Sequence, residues 1–179
     1  MKVLKIIGFI ILVVLTLLII HLLFTFICSL FVKNKIYEKN SKLFRYILNT
    51  WTWIAIKIMR IKIITKGIDK VPKDSKVLFV GNHQSNFDPI ITWKIFEKNN
   101  ISYLSKGSNF KIPFFGKVVR KCCFLEIDRE NSRNAIKSIV KASELIKKQE
   151  VSIGVYPEGT RNKTEEFYKK TCKKAKYPL

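Results

Sequence analysis

The sequence is poor in histidine, in acidic residues and in paired cysteines. It holds two histidines, His21 and His83, so proton transfer by an imidazole has only two candidate positions. The sequence has 13 Asp and Glu but 34 Lys and Arg. The resulting formal charge of +21 requires a polyanionic neighbour, either nucleic acid or an anionic membrane surface. No cysteine falls in a CxxC pair, and Cys122 and Cys123 are adjacent, which suits neither a zinc site nor a disulfide. This usage is typical of free thiols in a reducing compartment.

Charge is absent from residues 6–32, a run rich in Ile, Leu, Val and Phe. As a helix this run would measure about 40 Å, more than the ~30 Å hydrocarbon core of a bilayer. No small-residue cleavage site follows it, so the run predicts a retained membrane segment and not a signal peptide. Lysines are denser after the run than before it, which places the C-terminal side in the cytoplasm. Because both ends are basic, a re-entrant segment held in one leaflet remains the alternative.

Residues 41–60 predict a second, amphipathic helix, because apolar residues recur at three- and four-residue intervals. Trp51 and Trp53 suit the headgroup level of a membrane. Four basic residues are then candidates to meet lipid phosphates: Lys42, Arg45, Lys57 and Arg60. An ordinary core helix explains the same spacing equally well.

The remainder alternates strand and helix patterns, which predicts an α/β fold with a mostly parallel central sheet flanked by helices. Strands are expected at residues 61–65, 77–80 (buried), 101–104, 122–127 and 151–156, and helical segments at 89–97, 109–120 and 132–148. The last helix is expected to bury one face made of Ile136, Ile139, Val140, Ser143, Leu145 and Ile146. We therefore divide the chain into membrane-anchoring helices, residues 1–60, and a second domain, residues 61–179.

A polar turn follows the strand at 77–80 and holds His83 and Asp88. Turns at the ends of buried strands often carry the chemistry of α/β proteins. A neutral imidazole accepts a proton near pH 7, and a carboxylate fixes its tautomer and stabilises the imidazolium. The two residues alone are weak evidence, because many proteins contain a histidine five residues before an aspartate by chance.

Two further strand ends carry arginines that suit a phosphate ligand. Ile127-Asp128-Arg129 ends the fourth predicted strand, although a surface Asp–Arg pair of little energetic value explains it as well. Tyr156-Pro157-Glu158-Gly159-Thr160-Arg161 ends the fifth. In it Gly159 permits a tight turn, the Thr160 hydroxyl and the Arg161 fork offer donors, and Glu158 positions Arg161 or supports the loop. A solvated turn is the alternative here.

Taken with Asn82-His83-x4-Asp88-Pro89, these stretches resemble, in order and approximate spacing, the first three motifs of the bacterial 1-acylglycerol-3-phosphate acyltransferases, a glycerolipid acyltransferase family. Lys106 matches a lysine that the resemblance implies lies near the acceptor phosphate. The aromatic stretch Phe110, Pro113, Phe114 and Phe115 then walls an acyl groove or belongs to the core. Ser108, Asn109 and Glu126 depart from the family pattern. The hydrophobic Val-Pro-type fourth motif is missing, so we expect the C-terminal part of the domain to be missing.

The resemblance implies acyl transfer from an acyl-CoA or acyl-carrier-protein thioester to the sn-2 hydroxyl of lysophosphatidate, giving phosphatidate. It implies His83 and Asp88 as catalytic residues and, for substrate binding, Lys106, Arg129, Glu158, Gly159, Thr160 and Arg161. No metal or cofactor is expected, and backbone N–H groups of the motif turn are expected to bind the oxyanion. The chain is expected at the cell membrane, with lipids as partners and the catalytic domain on the cytoplasmic side.

Three other functions were weighed. A sibling acyltransferase for another glycerophosphate or lysolipid acceptor carries nearly the same motifs. An inactive, membrane-bound family member keeps the motifs without turnover. A nucleic-acid binder accounts for the charge alone, but the sequence has no recognition-helix or RNA-binding signature and its N-terminus is apolar. We therefore expect no nucleic-acid partner.

Overall fold

A computed structural model describes residues 2–159, in which helices and strands alternate after an N-terminal helical pair. The helices are α1 (Lys2–Leu30), α2 (Lys42–Ile58), α3 (Asp88–Ile95), α4 (Gly107–Phe110), α5 (Phe115–Lys121) and α6 (Ser132–Lys147). The strands are β1 (Leu78–Val80), β2 (Ile101–Lys106), β3 (Leu125–Ile127) and β4 (Ser152–Val155). The predicted α/β class is confirmed.

The four strands form one sheet in the order β1-β4-β2-β3, and every pairing is parallel. β4 lies between β1 and β2, with Phe79 opposite Gly154 and Tyr103 opposite the same glycine on the other side. Because all strands run the same way, their carboxyl ends meet at one edge of the sheet. This edge receives the turns that follow β1, β2, β3 and β4, and these turns carry the predicted motifs.

Helices cover both faces of the sheet and bury two apolar clusters. On one face α2, α3 and α5 pack over β2 and contribute Phe44, Ile47, Leu48, Trp93, Val118 and Val119 beside Ile101 and Tyr103. On the other face α6 buries Ala142 and Leu145 against Leu125, Val151 and Ile153. Successive strand residues point to opposite faces, so β2 supplies both layers.

Helix α1 is 29 residues long and is apolar enough to cross a membrane. Most of its apolar side chains are exposed, whereas Thr25 and Ser29 near its end are buried. Trp51 of α2 donates from Nε1 to the Thr25 hydroxyl at 3.1 Å. The C-terminal half of α1 is thereby joined to α2, which in turn packs on the sheet.

Arg45 does not face lipid, contrary to the expectation from the sequence. Its side chain is 5% exposed and lies over the ring of Trp93, with its guanidinium carbon 4.6 Å from the ring centroid. The guanidinium donates to the main-chain oxygens of Ile101 and Cys122 and to the Ser102 hydroxyl. Burial lowers the pKa of Arg45. The amphipathic face of α2 therefore packs on protein, and this basic residue points inward with it.

One strand prediction is wrong, and the predicted burial of a second strand is wrong. Residues 61–65 form no strand. Arg60 turns the chain with φ 53°, Ile61 bonds back to Ile56 of α2, and Ile64 is 75% exposed. β1 does form, but it lies at the edge of the sheet described by residues 2–159, with Leu78 and Val80 more than half exposed, and it is not the buried strand expected. A short apolar run does not reveal whether a neighbouring strand is present to pair with it.

The buried face of α6 also differs from the prediction. Leu145 is fully buried, but Ile136, Ile139 and Val140 are each about half exposed or more. The helix begins at Ser132, after Asn131 accepts hydrogen bonds from the main-chain N–H groups of residues 133 and 134. Its contacts are to β2, β3 and β4, so only the side of the helix around Leu145 meets the sheet. The apolar face of α6 is therefore wider than the part of the sheet that it covers, and some of its apolar side chains stay exposed.

Candidate active site

His83 and Asp88 lie side by side in the turn between β1 and α3. Nδ1 of His83 is 2.9 Å from Oδ2 of Asp88, and each side chain is about one-fifth exposed. The same carboxylate oxygen accepts the main-chain N–H groups of Gln84 at 2.6 Å and Ser85 at 2.7 Å. An ionised carboxylate only accepts, so the imidazole donates from Nδ1 and carries its lone pair on Nε2. The turn thus folds Asp88 back onto His83, as the sequence suggested, and no residue of the described range 2–159 bonds Nε2.

Main-chain N–H groups of the turn donate hydrogen bonds to the carboxylates that hold His83 and Asp88 in place. The N–H of His83 donates to the Glu158 carboxylate at 2.6 Å, and those of Gln84 and Ser85 hold Asp88. These three amides of the motif turn are therefore already engaged, because a tight turn around a carboxylate needs donors for that carboxylate. The expectation named no particular amide, and an oxyanion would need other N–H groups of the turn.

Tyr156, which follows β4, stacks on the imidazole of His83. The ring centroids are 4.7 Å apart and the planes meet at 26°. The Tyr156 hydroxyl lies 2.8 Å from the hydroxyl of Thr92, which also lies 2.7 Å from that of Tyr103. Burial raises the pKa of both tyrosines, so both keep their protons at neutral pH. No motif in the sequence indicates a role for these three hydroxyls, although Thr92 lies one helical turn after Asp88.

The predicted phosphate-binding residues collect at the same sheet edge. Lys106 is the exposed last residue of β2 and pairs in register with Ile127 of β3. Arg129 is exposed two residues further on, and its guanidinium donates to the main-chain oxygen of Gly159. Gly159 has φ +68°, a conformation that favours glycine, and the ring of Tyr156 precedes it in the same turn. Thr160 and Arg161 lie outside the described residues.

Glu158 and Asp128 serve the loops that carry these cations. Glu158 accepts the His83 N–H, so it joins its own loop to the motif turn, a contact that the sequence did not predict. Asp128 does not pair with Arg129. Its carboxylate accepts from the main-chain N–H groups of Glu130 and Asn131 and from the Asn134 amide, and these hydrogen bonds lower its pKa.

An apolar groove of about 410 Å³ begins beside the motif turn. Pro89 and Ile90, directly after Asp88, line it together with Tyr103. The rest of the wall comes from α1, α2, α3 and the segment around α5: Leu22, Thr25, Leu48, Trp51, Thr52, Ala55, Trp93, Pro113, Phe114, Phe115, Val118 and Phe124. Phe110 is instead buried, with the Arg120 guanidinium 4.7 Å above its ring. The sequence left open whether this stretch lines a groove or belongs to the core. Pro113, Phe114 and Phe115 line the groove, and Phe110 lies in the core.

Comparison with known proteins agrees with this arrangement. Residues 62–175 match the family model described as Acyltransferase. A 1-acyl-sn-glycerol-3-phosphate acyltransferase of Borreliella burgdorferi is 35% identical over 125 residues, covering 68% of this chain and 49% of the relative. The protein of the same name from Haemophilus influenzae is 32% identical over 98 residues, covering 52% of this chain and 40% of the relative. The chain thus spans about half the length of these relatives or less, and no solved structure matches it significantly. The matched region is more than half of the sequence and contains every candidate site residue, and the chain belongs to the acyltransferase family.

Proposed function

We propose that this chain moves a fatty acyl group from an acyl thioester to the sn-2 hydroxyl of lysophosphatidate, giving phosphatidate. The observation that carries the proposal is the His83–Asp88 pair, which directly precedes Pro89 and Ile90 of the apolar groove and follows β1 at the sheet edge where Lys106 and Arg129 are exposed. An acyl chain suits the groove, and a phosphate suits the cations. The relatives from Borreliella burgdorferi and Haemophilus influenzae bear the name of this activity.

In the proposed reaction His83 is the general base. Nε2 takes the proton of the acceptor hydroxyl while its oxygen attacks the thioester carbonyl carbon, and Asp88 stabilises the imidazolium through Nδ1. The C–S bond then breaks, and the leaving thiolate takes the proton from the imidazolium. The hydroxyl of the acceptor occupies the role of the serine in a catalytic triad, so the reaction needs neither a covalent acyl-enzyme nor a metal or cofactor.

The cations position the acceptor. Lys106 and Arg129 bind its phosphate, and the other two predicted phosphate ligands, Thr160 and Arg161, lie outside the described residues. Binding of the phosphate places the acceptor hydroxyl within reach of His83. The attack on the thioester then behaves as a unimolecular step between oriented groups. Glu158 contributes indirectly, because its carboxylate fixes the main chain of His83.

The membrane supplies the lipid substrate. α1 inserts into the cell membrane with the catalytic domain on the cytoplasmic side, where both acyl-CoA and acyl-carrier protein are available as donors. The groove is lined by residues of α1 and α2, so an acyl chain reaches it from the bilayer without crossing water.

The test is an acyl-transfer assay on membranes that carry the chain, with lysophosphatidate as acceptor and either donor. His83→Ala should reduce the rate by about 10²–10⁴-fold, the usual contribution of a general base. His21→Ala is the matched control, because it removes the other histidine and should leave the rate unchanged. A His83→Ala chain that turns over at the parent rate would refute the assignment. Competition with glycerol-3-phosphate and other lysolipids then distinguishes a sibling acceptor.

A further inference from the structure

The hydroxyl of Thr92 stands at the centre of a hydrogen-bond network behind the imidazole. Its Oγ1 donates to the main-chain oxygen of Asp88 at 2.6 Å. A hydroxyl has a single proton, so Thr92 accepts at its contacts to Tyr103, 2.7 Å, and Tyr156, 2.8 Å. One donated and two accepted bonds use the full capacity of this hydroxyl. Both tyrosines are protonated and therefore able to donate, and the one proton of Tyr103 has two acceptors, Thr92 Oγ1 and, at 3.2 Å, the main-chain oxygen of Pro89.

These bonds close a ring of contacts around His83. Asp88 holds the edge of the imidazole at Nδ1, and Tyr156 covers its face at 4.7 Å. Asp88 belongs to α3 and Tyr156 follows β4, and Thr92 bonds to both of them. A single hydrogen bond at Nδ1 allows the imidazole to pivot about that bond. A stacked ring with a fixed hydroxyl prevents the pivot.

Gly81, at the start of the motif turn, packs closely against Tyr156. Gly81 bonds through its N–H to the oxygen of Val155 at 3.1 Å, which brings the start of the motif turn against Tyr156. A Cβ at Gly81 would lie 3.3 Å from the Tyr156 ring, closer than most such contacts. The tyrosine ring therefore fills the space between the two turns and has little room to move.

We propose that Thr92 and Tyr156 are positioning residues, which fix the plane of the His83 imidazole so that Nε2 points at the acceptor hydroxyl. The inference rests on the proposed acyl transfer for its kinetic consequence. Neither residue exchanges a proton with the substrate. Tyr103 completes the network and also lines the apolar groove, so the wall that meets the acyl chain shares a hydrogen bond with the residue that holds the base.

The kinetic test compares four substitutions in the full chain in membranes. Thr92→Val and Tyr156→Phe remove the bond between α3 and the tyrosine, and each should lower kcat by about tenfold while KM for lysophosphatidate changes by less than about twofold. Thr92→Ser keeps the hydroxyl and should retain the parent kcat. Tyr156→Leu also removes the stacked ring and should lose more activity than Tyr156→Phe.

Matched controls separate this effect from the loss of any hydroxyl. Thr50 of α2 donates to the oxygen of Tyr46 one turn earlier, as Thr92 does to Asp88, but it lies away from His83. Tyr37 accepts the main-chain N–H of Lys33 through its hydroxyl. Thr50→Val and Tyr37→Phe should leave kcat unchanged.

A second readout does not depend on turnover. In a His21→Asn background His83 is the one histidine left, and its ring protons should resonate upfield in the NMR spectrum because they lie over the Tyr156 ring. Tyr156→Leu should abolish this shift, and Thr92→Val and Tyr156→Phe should reduce it or broaden the signals. Parent-like signals in Thr92→Val and Tyr156→Phe would overturn the proposal, as would a parent-like kcat in an active chain. An inactive parent chain that shows the expected shifts would refute the acyl-transfer function and keep the positioning role.

Discussion

Arg45→Met should destabilise the chain strongly, although Arg45 lies far from the candidate catalytic pair in the sequence. The arginine makes four hydrogen bonds: to Asn40 at 2.9 Å, to the oxygen of Ile101 at 2.8 Å, and to Ser102 and the oxygen of Cys122 at 3.3 Å each. Methionine keeps most of the stem volume and loses all four.

The expected loss in the free energy of unfolding depends on which hydrogen-bond acceptors of Arg45 are left without a donor. The oxygen of Cys122 still accepts from the Ser102 hydroxyl, so it keeps a bond. The oxygen of Ile101 loses its arginine donor, which costs about 1–3 kcal/mol when the group is buried. Loss of the buried cation over Trp93 adds up to about 2 kcal/mol. We expect a net loss of about 2–4 kcal/mol, because the methionine also avoids the cost of burying a charge.

The assay is thermal unfolding of the purified chain in detergent. A loss of 2–4 kcal/mol corresponds to a fall in Tm of about 5–15 °C for a chain of this size. Arg133→Met is the control, since Arg133 is an exposed arginine in the first turn of α6. A Tm for Arg45→Met within about 2 °C of the parent would show that the buried guanidinium contributes no net stability, and the reasoning above would be wrong.

Three further predictions test other parts of the structure. Gly81→Ala should lower activity about tenfold, because the added methyl displaces the Tyr156 ring that stacks on the base; an unchanged rate would contradict this contact. Leu145→Ala should cost about 2–5 kcal/mol in the free energy of unfolding, because Leu145 of α6 is fully buried against the sheet, and a parent-like Tm would argue against that packing. Burial raises the pKa of Cys122 and Cys123 to about 12, so neither thiol should be alkylated by iodoacetamide at pH 8 in the folded chain, as measured by mass spectrometry. Rapid labelling of both under native conditions would show that they are accessible as thiolates.

Two controls sharpen these tests. A Cβ at Gly8 would meet nothing within 4 Å, so Gly8→Ala should leave activity unchanged. Ile139 lies on α6 near Leu145 but is 51% exposed, so Ile139→Ala should change Tm far less than Leu145→Ala. After denaturation both buried cysteines should react, which confirms that burial and not chemistry protects them.

The sequence predicted best where the signal was local. His83 and Asp88 are five residues apart in a turn, and a turn of that length brings their side chains within reach of each other. The alternation of strand and helix patterns likewise predicted the α/β class, since each element has its own periodicity. Pro89 correctly marked the first turn of α3.

Features that depend on distant neighbours were missed. The spacing of the apolar residues around Arg45 predicted an amphipathic helix. Nothing in the sequence showed that Arg45 contacts β2 and not lipid. The run at 61–65 has the composition of a strand but pairs with no strand in the part of the chain that the structure describes. The contacts of Tyr156 and Thr92 join residues 64 positions apart, beyond the reach of any local pattern. Their roles, and those of the phosphate-binding residues, stay predictions until the variants are measured.

The strand order has a consequence for how the site is made. β1 pairs with β4 alone among the described strands, and Glu158 reaches the N–H of His83 from 75 positions away. At common rates of synthesis, β4 leaves the ribosome about 4–15 s after β1. During that interval α1 can already enter the membrane, while Leu78 and Val80 wait as an unpaired apolar strand, the type of edge that promotes aggregation. Contacts between distant residues also form slowly. The site should therefore be among the last parts of the chain to fold, and its yield in cells should depend on the time that β1 spends without a partner.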